Sequence, residues 1–282
     1  MKCLMMTPLK MWCLLPLSVL LLLSVTPTDT KFMNSMSNCN KYLLQKTPPH
    51  ISGVLEDGNI KDQKRYKPIC RSYKNMRSAV MLYDSEDGIP VFSAYKFTGA
   101  KSNQLETPWN RELFPEGRNL MSNIWGHFFP SSGELDELDK IIPQVKTVNT
   151  GSWKHMETCV KCILEEHCIN NINIIEGYVV SGAVSGTDIK LNNNIHKPSV
   201  FWSAFCCYSK GKNKWLASAY WGENTAEKSN GEYLPTKTLK ELKDNLKIVA
   251  FPKTNCPQSE TVANIYPEMK KSCQCPPKPK LN

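Results

Sequence analysis

NIWGHFFPSSGELDELDKIIPQVKTVNTGSWKHME, residues 123–157, is the stretch whose reading decides the fold. Its first half holds Gly126-His127 in an apolar frame, and its second half holds Pro143-Gln144, Asn149, Gly151, Trp153 and Glu157. Asn149, Trp153 and Glu157 stand four residues apart, a spacing that on one helix brings them to one face. Trp153 is then expected in the core. Asn149 and Glu157 are left to offer an amide oxygen and a carboxylate, the oxygen donors that a hard cation such as Mg²⁺ takes while it keeps several waters. A neutral imidazole nearby, that of His127, can take the proton from a water attacking phosphorus.

The residues outside this stretch bound the class. Lys2 and Lys10 precede Met11–Val25, an almost wholly apolar run too short to span a bilayer, so residues 1–25 read as a secretory signal peptide. No later stretch is long and apolar enough to cross a membrane, and the mature protein is expected to be secreted. About 250 residues remain, enough for a sizeable core. Of the twelve cysteines only Cys3 and Cys13 fall in the signal, and an even number in a secreted chain argues for disulfides. The neighbours Cys206 and Cys207 are poorly placed to bond each other. The formal charge of +9 favours polyanions as partners, although the lysines are spread rather than clustered. No Asn-x-Ser/Thr acceptor for glycosylation occurs.

Along the chain, residues 26–65 read as a polar, Pro-containing N-terminal arm pinned by Cys39. Ala79–Tyr83 and Ile89–Phe97 are expected as strands across the turn Asp84–Gly88, since Asp-Gly before a β-branched and aromatic run is a hairpin signal. Apolar residues recur at helical spacing from Thr150 to His167. Ile172–Ala183, Ser199–Tyr208 and Trp215–Trp221 are expected as strands, the last two paired. Leu234–Asn245 resembles a short capped helix, followed by the apolar Ile248–Phe251, and residues 257–282 form a Cys-, Pro- and Lys-containing tail. No repeats and no βαβ rhythm occur, which favours an α+β class.

The quoted stretch resembles the DNA/RNA non-specific endonucleases with a ββα-metal core. Their pattern is Asp-Arg-Gly-His, then Asn-Ile-x-Pro-Gln, then Leu-Asn-x-Gly-x-Trp with a Glu four residues on. Ile89–Gly99 (IPVFSAYKFTG) is similar to a strand of that family. Pro198–Cys207 (PSVFWSAFCC) is similar to the late strand of its vertebrate secreted branch, the endonuclease domain-containing 1 proteins. The resemblance covers roughly Pro68 to Cys256. It implies an α+β domain over residues 66–256, with a central antiparallel sheet and a ββα-metal (His-Me finger) element from about Ser122 to Cys168. It also implies His127 as general base, Asn149 as direct metal ligand, Glu157 as a support for the metal's waters, Mg²⁺ or another divalent cation as cofactor, and DNA or RNA as substrate.

Three positions depart from the pattern. Ile124 and Trp125 replace the Asp-Arg, and Lys140 replaces the Asn before Ile-x-Pro-Gln. Removing a preorganised charge donor commonly costs about 10²- to 10³-fold in rate. Trp125 can stack on a base, and Lys140 can bring a positive charge, though without the Arg fork. Arg111 and Arg118 stand upstream as candidates for the missing Arg. Two other readings therefore stay open. One is a non-catalytic relic of the same fold that binds nucleic acid or protein. The other is a zinc module from Cys159-x-x-Cys162, His167 and Cys168, which secretion disfavours.

Overall fold

The computed structural model describes residues 31–32, 36, 39–40, 43–72, 78–99, 125–126, 142–191, 195–227 and 233–267. The N-terminal part holds β1 (Lys31–Phe32), β2 (His50–Ile51), β3 (Leu55–Glu56), β4 (Asn59–Ile60), β5 (Tyr66–Ser72), β6 (Ser78–Asp84) and β7 (Ile89–Phe97). Then come β8 (Trp125–Gly126), β9 (Ile142–Pro143), α1 (Lys146–Thr150) and α2 (Ser152–His167). The C-terminal part holds β10 (Gly177–Leu191), β11 (Ile195–Ser209), β12 (Lys214–Glu223), α3 (Leu239–Leu246), β13 (Ile248–Val249) and α4 (Val262–Ile265). The class is α+β, as expected.

The central sheet has seven strands in the order β1-β5-β6-β7-β10-β11-β12, every neighbouring pair antiparallel. Its β6–β7 hairpin closes at the expected Asp-Gly turn, where Gly88 takes the positive φ of 70° that suits glycine. Asp84 organises that turn. Its Oδ1 accepts from the backbone N–H of Glu86 at 3.0 Å and of Asp87 at 3.1 Å. Arg65 clamps the same carboxylate, its Nε 2.9 Å from Oδ2 and its Nη2 2.7 Å from Oδ2, and also reaches Asp87 at 2.9 Å.

The strands bury both faces, so successive residues enter opposite cores. Tyr95, Val179, Phe201, Phe205 and Leu216 join α2 and α4 on one face. Ala94, Val180, Trp202, Ala204 and Ala217 join α3, Phe251 and the N-terminal segment on the other. The two adjacent cysteines obey the same alternation. Cys207 bonds Cys168 at the end of α2, with Cα atoms 5.5 Å apart, and Cys206 bonds Cys256 on the opposite face, with Cα atoms 6.0 Å apart. A third disulfide joins Cys39 to Cys70.

Three segments differ from the sequence expectations. Residues 43–60, within the stretch read as an arm, fold into the small sheet β13-β2-β3-β4 and bury Leu43, Leu44, Leu55 and Ile60. The polar residues there point outward, while a few well-spaced apolar ones supply core. Residues 172–174, expected to open a strand, form a turn instead. The Oδ1 of Asn170 accepts from the N–H of Ile172 at 3.1 Å and of Ile174 at 3.0 Å, a local bond that outcompetes extension, and β10 starts only at Gly177. The helix expected from Leu234 starts at Leu239, where Thr238 and Glu241 form a capping box. At the tail, Val262, Ala263 and Tyr266 are buried. Among the described residues no helix is long and apolar enough to cross a membrane.

Candidate functional site

The site is built around a two-stranded ribbon followed by helix. Trp125 pairs with Pro143 and Gly126 with Ile142, antiparallel, and the chain then enters α1 and α2. That is a ββα arrangement at the place the family resemblance implied. Of the predicted site residues, Asn149 lies on α1 and Glu157 on α2, both half-buried. For Trp125 only the backbone place in β8 is described. His127 and Lys140, like Ile124, Arg111 and Arg118, lie outside the described residues.

Asn149, Trp153 and Glu157 do not share one continuous helix. Gly151, with φ −106° and ψ −116°, breaks the run between α1 and α2. The cause is crowding. A Cβ at Gly151 would collide with the Glu227 carboxylate and with the Thr147 carbonyl oxygen, so only glycine passes here. Beyond the break, Trp153 is 1 % exposed and meets the Phe201 ring at 5.6 Å, which pins α2 to the sheet. Glu157, one turn on, turns its Oε1 away from solvent. Tyr220, in the same core, is buried, and burial pushes its phenol up to about 12, so it stays neutral. On the solvent side His155 stacks on Tyr233 with centroids 4.8 Å apart.

The residues that hold this segment in place gave no signal in the sequence. Asn224, just past β12, is 2 % exposed. Its Oδ1 accepts from Val145 N at 2.8 Å, and its Nδ2 donates to the carbonyls of Pro143 and Pro198, both at 3.0 Å. Its own N–H donates to Ser199 O at 2.8 Å. Both amide hydrogens of its side chain are therefore used. Glu227, three residues on, accepts from Ser152 N at 3.2 Å and from Ser152 Oγ. Its backbone N–H donates to Thr147 Oγ1 at 3.0 Å. Gly151 has no side chain with which to cap α2, and Glu227 supplies the missing acceptor and a favourable negative charge at that helix N-terminus. Their partners between Pro143 and Ser152 lie 75 to 81 residues away in the chain, and only the folded sheet brings them together.

Asn149 carries an amide oxygen and Glu157 a carboxyl group, and oxygen donors of this kind suit a hard divalent ion that keeps most of its waters. Among the described residues no group of three His, Cys, Asp or Glu gathers as a dense metal cage. A zinc module is ruled out by chemistry, because Cys159, Cys162 and Cys168 are all disulfide-bonded and hold no thiolate.

The family model for DNA/RNA non-specific endonuclease matches residues 57–251. Among solved structures, a chain of the EndoG/EndoGI complex, determined for the mechanism of EndoG inhibition, superposes with a TM-score of 0.52 and 18% identity. The match covers 68% of this chain and 89% of that one, a likeness of fold. No curated protein matches the chain in sequence.

Proposed function

The chain belongs to the DNA/RNA non-specific endonuclease family, and we propose that it is a secreted, divalent-cation-dependent phosphodiesterase of DNA or RNA with slowed turnover. In this reading residues 1–25 are a signal peptide, residues 66–256 the catalytic domain, and the likeness of Pro198–Cys207 supports the vertebrate secreted branch. Three described disulfides suit an oxidising, extracellular setting.

His127 accepts the proton of the attacking water. Asn149 would hold the cation, Mg²⁺ or another divalent ion, directly, and Glu157 would hold waters of that ion by hydrogen bonding. A bound divalent ion supplies offset of the negative charge on the phosphoryl and leaving oxygens. Trp125 stacks on a nucleobase and Lys140 attracts the phosphate backbone. Ile124 can neither donate to phosphate nor carry charge, and Trp125 offers one neutral indole N–H in place of the charged Arg fork, so the rate falls short of a complete Asp-Arg-Gly-His site by about 10²- to 10³-fold.

The observation that carries this reading is the backbone clamp on Pro143–Ser152: a buried, fully used Asn224 and the cap from Glu227 hold the metal-side segment in one arrangement. Such fixing is what a preorganised site requires. The test is cleavage of supercoiled plasmid and of RNA by the purified mature chain with Mg²⁺. Cleavage lost in His127→Ala and Asn149→Ala supports the enzyme. The substitution of the Asp-Arg pair by Ile124 and Trp125 favours a second reading, a non-catalytic binder of nucleic acid or protein. Salt-sensitive DNA binding with no cleavage at high protein concentration is its signature.

A further inference from the structure

We propose that Glu227 is a positioning residue for the cation ligand Asn149, acting through the break at Gly151. The inference rests on the reading of Asn149 as that ligand and adds a residue that no motif contains. Asn149 sits on α1, a helix of one and a half turns whose N-cap and C-cap residues offer no side-chain cap. A helix so short does not hold itself. Its orientation has to come from its two ends.

Asn224 secures the first end through Val145 N at 2.8 Å. Glu227 secures the second. Its backbone N–H meets Thr147 Oγ1 at 3.0 Å, two residues before Asn149. Its carboxylate meets Ser152 N at 3.2 Å and Ser152 Oγ, three residues after Asn149. One residue thus ties α1 to α2 across the single position, Gly151, where the backbone leaves helical geometry. Glycine is required there because a Cβ would strike the Thr147 carbonyl oxygen, and the Glu227 carboxylate packs into the same space, so the motif glycine and Glu227 sit directly against each other. Without the carboxylate, the junction at Gly151 keeps only its backbone bonds to Val148 and His155, and α1, with Asn149 on it, is held less firmly. A ligand held in place only part of the time binds with affinity reduced by that fraction.

The experiment uses Mn²⁺ as probe, titrated calorimetrically into the purified mature chain, with the thermal midpoint measured alongside. Glu227→Ala is expected to weaken Mn²⁺ binding at least about tenfold at a temperature where the variant is fully folded. Glu227→Gln keeps an oxygen that accepts from Ser152, and is expected to recover most of that loss. Thr238→Ala, which removes the α3 cap on the opposite face, is expected to lower the midpoint with Mn²⁺ affinity unchanged. If Glu227→Ala does not fold, Ser152→Ala serves in its place, with a smaller expected loss of affinity.

Mn²⁺ affinity unchanged in Glu227→Ala, while Asn149→Ala abolishes binding, overturns the positioning role and leaves the cation site standing. Glu227→Gln as weak as Glu227→Ala also overturns it, since the negative charge and not the bond to Ser152 would then set the affinity. A wild-type chain that binds no Mn²⁺, or an Asn149→Ala chain that binds as well as wild type, overturns the underlying reading and the positioning role with it.

Discussion

On one face of the seven-stranded sheet, Val80, Leu82, Phe92 and Trp202 meet Leu239, Leu242, Ile248 and Phe251. On the other, where α2 packs, the strands interleave buried serines with the core residues. Ser93, Ser181, Ser203 and Ser218 share the parity of Tyr95, Val179, Phe201 and Tyr220 and so face α2 and α4. They are used. Ser181 Oγ donates to Ser203 Oγ at 2.7 Å, and Ser218 Oγ accepts from Val262 N at the start of α4 at 2.9 Å. Ser152 opens α2, and Asn224 bonds Val145, which packs against the same core. Apolar contact is non-directional and gives stability in proportion to area, whereas a buried polar pair fixes orientation and costs heavily when one partner is missing. The face that carries the candidate site is the one built from directional bonds.

The largest expected effect breaks the apolar face. Trp202 is 0 % exposed, and Trp202→Ala should destabilise by about 4 kcal/mol. Denaturant unfolding measures it. The comparison adds a second requirement: in whatever fraction remains folded, Mn²⁺ affinity should match wild type. A variant that folds but loses the cation would show that the two faces are not separable.

On the site face the matching change is Asn224→Leu. It leaves Val145 N, Pro143 O and Pro198 O without their partner, at an expected cost of about 3 kcal/mol. Unlike Trp202→Ala, it should also weaken Mn²⁺ binding in the folded protein. A cost below about 1 kcal/mol would mean that water replaces the amide, and the clamp would then not be what fixes the segment.

This asymmetry also explains what the sequence revealed. Apolar periodicity and turn chemistry are local, so Ile89–Phe97 is a strand at the expected bounds, and the α2 helix differs from expectation only by its break at Gly151. The family resemblance located the ββα element because the motif that carries it lies in one stretch of chain. The ladder in which Cys206 and Cys207 face opposite cores follows from strand alternation once both are known to be bonded. Asn224 and Glu227 left no trace, because an Asn and a Glu after a strand are ordinary loop residues. Their role arises from partners about 80 positions away, which no local pattern encodes. Ile172 and Ile174 misled for the opposite reason: their apolar character suggested a strand, while the neighbouring Asn170 had already bonded the backbone into a turn.

A smaller effect tests whether the serine row is directional. Ser181→Ala should cost about 1 kcal/mol, because Ser203 keeps a buried hydroxyl with its partner removed. Replacing both serines should cost less than the sum of the two single changes. A double-mutant cycle by denaturant unfolding reads that coupling, expected near 1 kcal/mol. Strict additivity would mean that the pair behaves as two independent packed side chains, and the contrast between faces would rest on Asn224 and Glu227 alone.

The smallest expected effect lies at the margin of the apolar face, where Lys96 pairs with Glu176 and its Nζ sits 5.7 Å from the Tyr178 ring centroid. Burial works to raise the Glu176 pKa, but hydrogen bonds from Lys96 and Asn170 outweigh it and hold the carboxyl below its ordinary value. A carboxylate lowered on folding stabilises the fold above its unfolded pKa and loses that contribution as the pH falls through its folded one. The wild type should therefore lose stability relative to Glu176→Gln on acidification from neutral pH to below the usual carboxylate range. Both side chains are partly solvated, so the difference should be no more than about 0.5 kcal/mol and should shrink in high salt. Denaturant midpoints of the two proteins across that range measure it. A gap that widened as the pH fell would reverse the sign, and would show that desolvation rather than Lys96 governs this carboxyl.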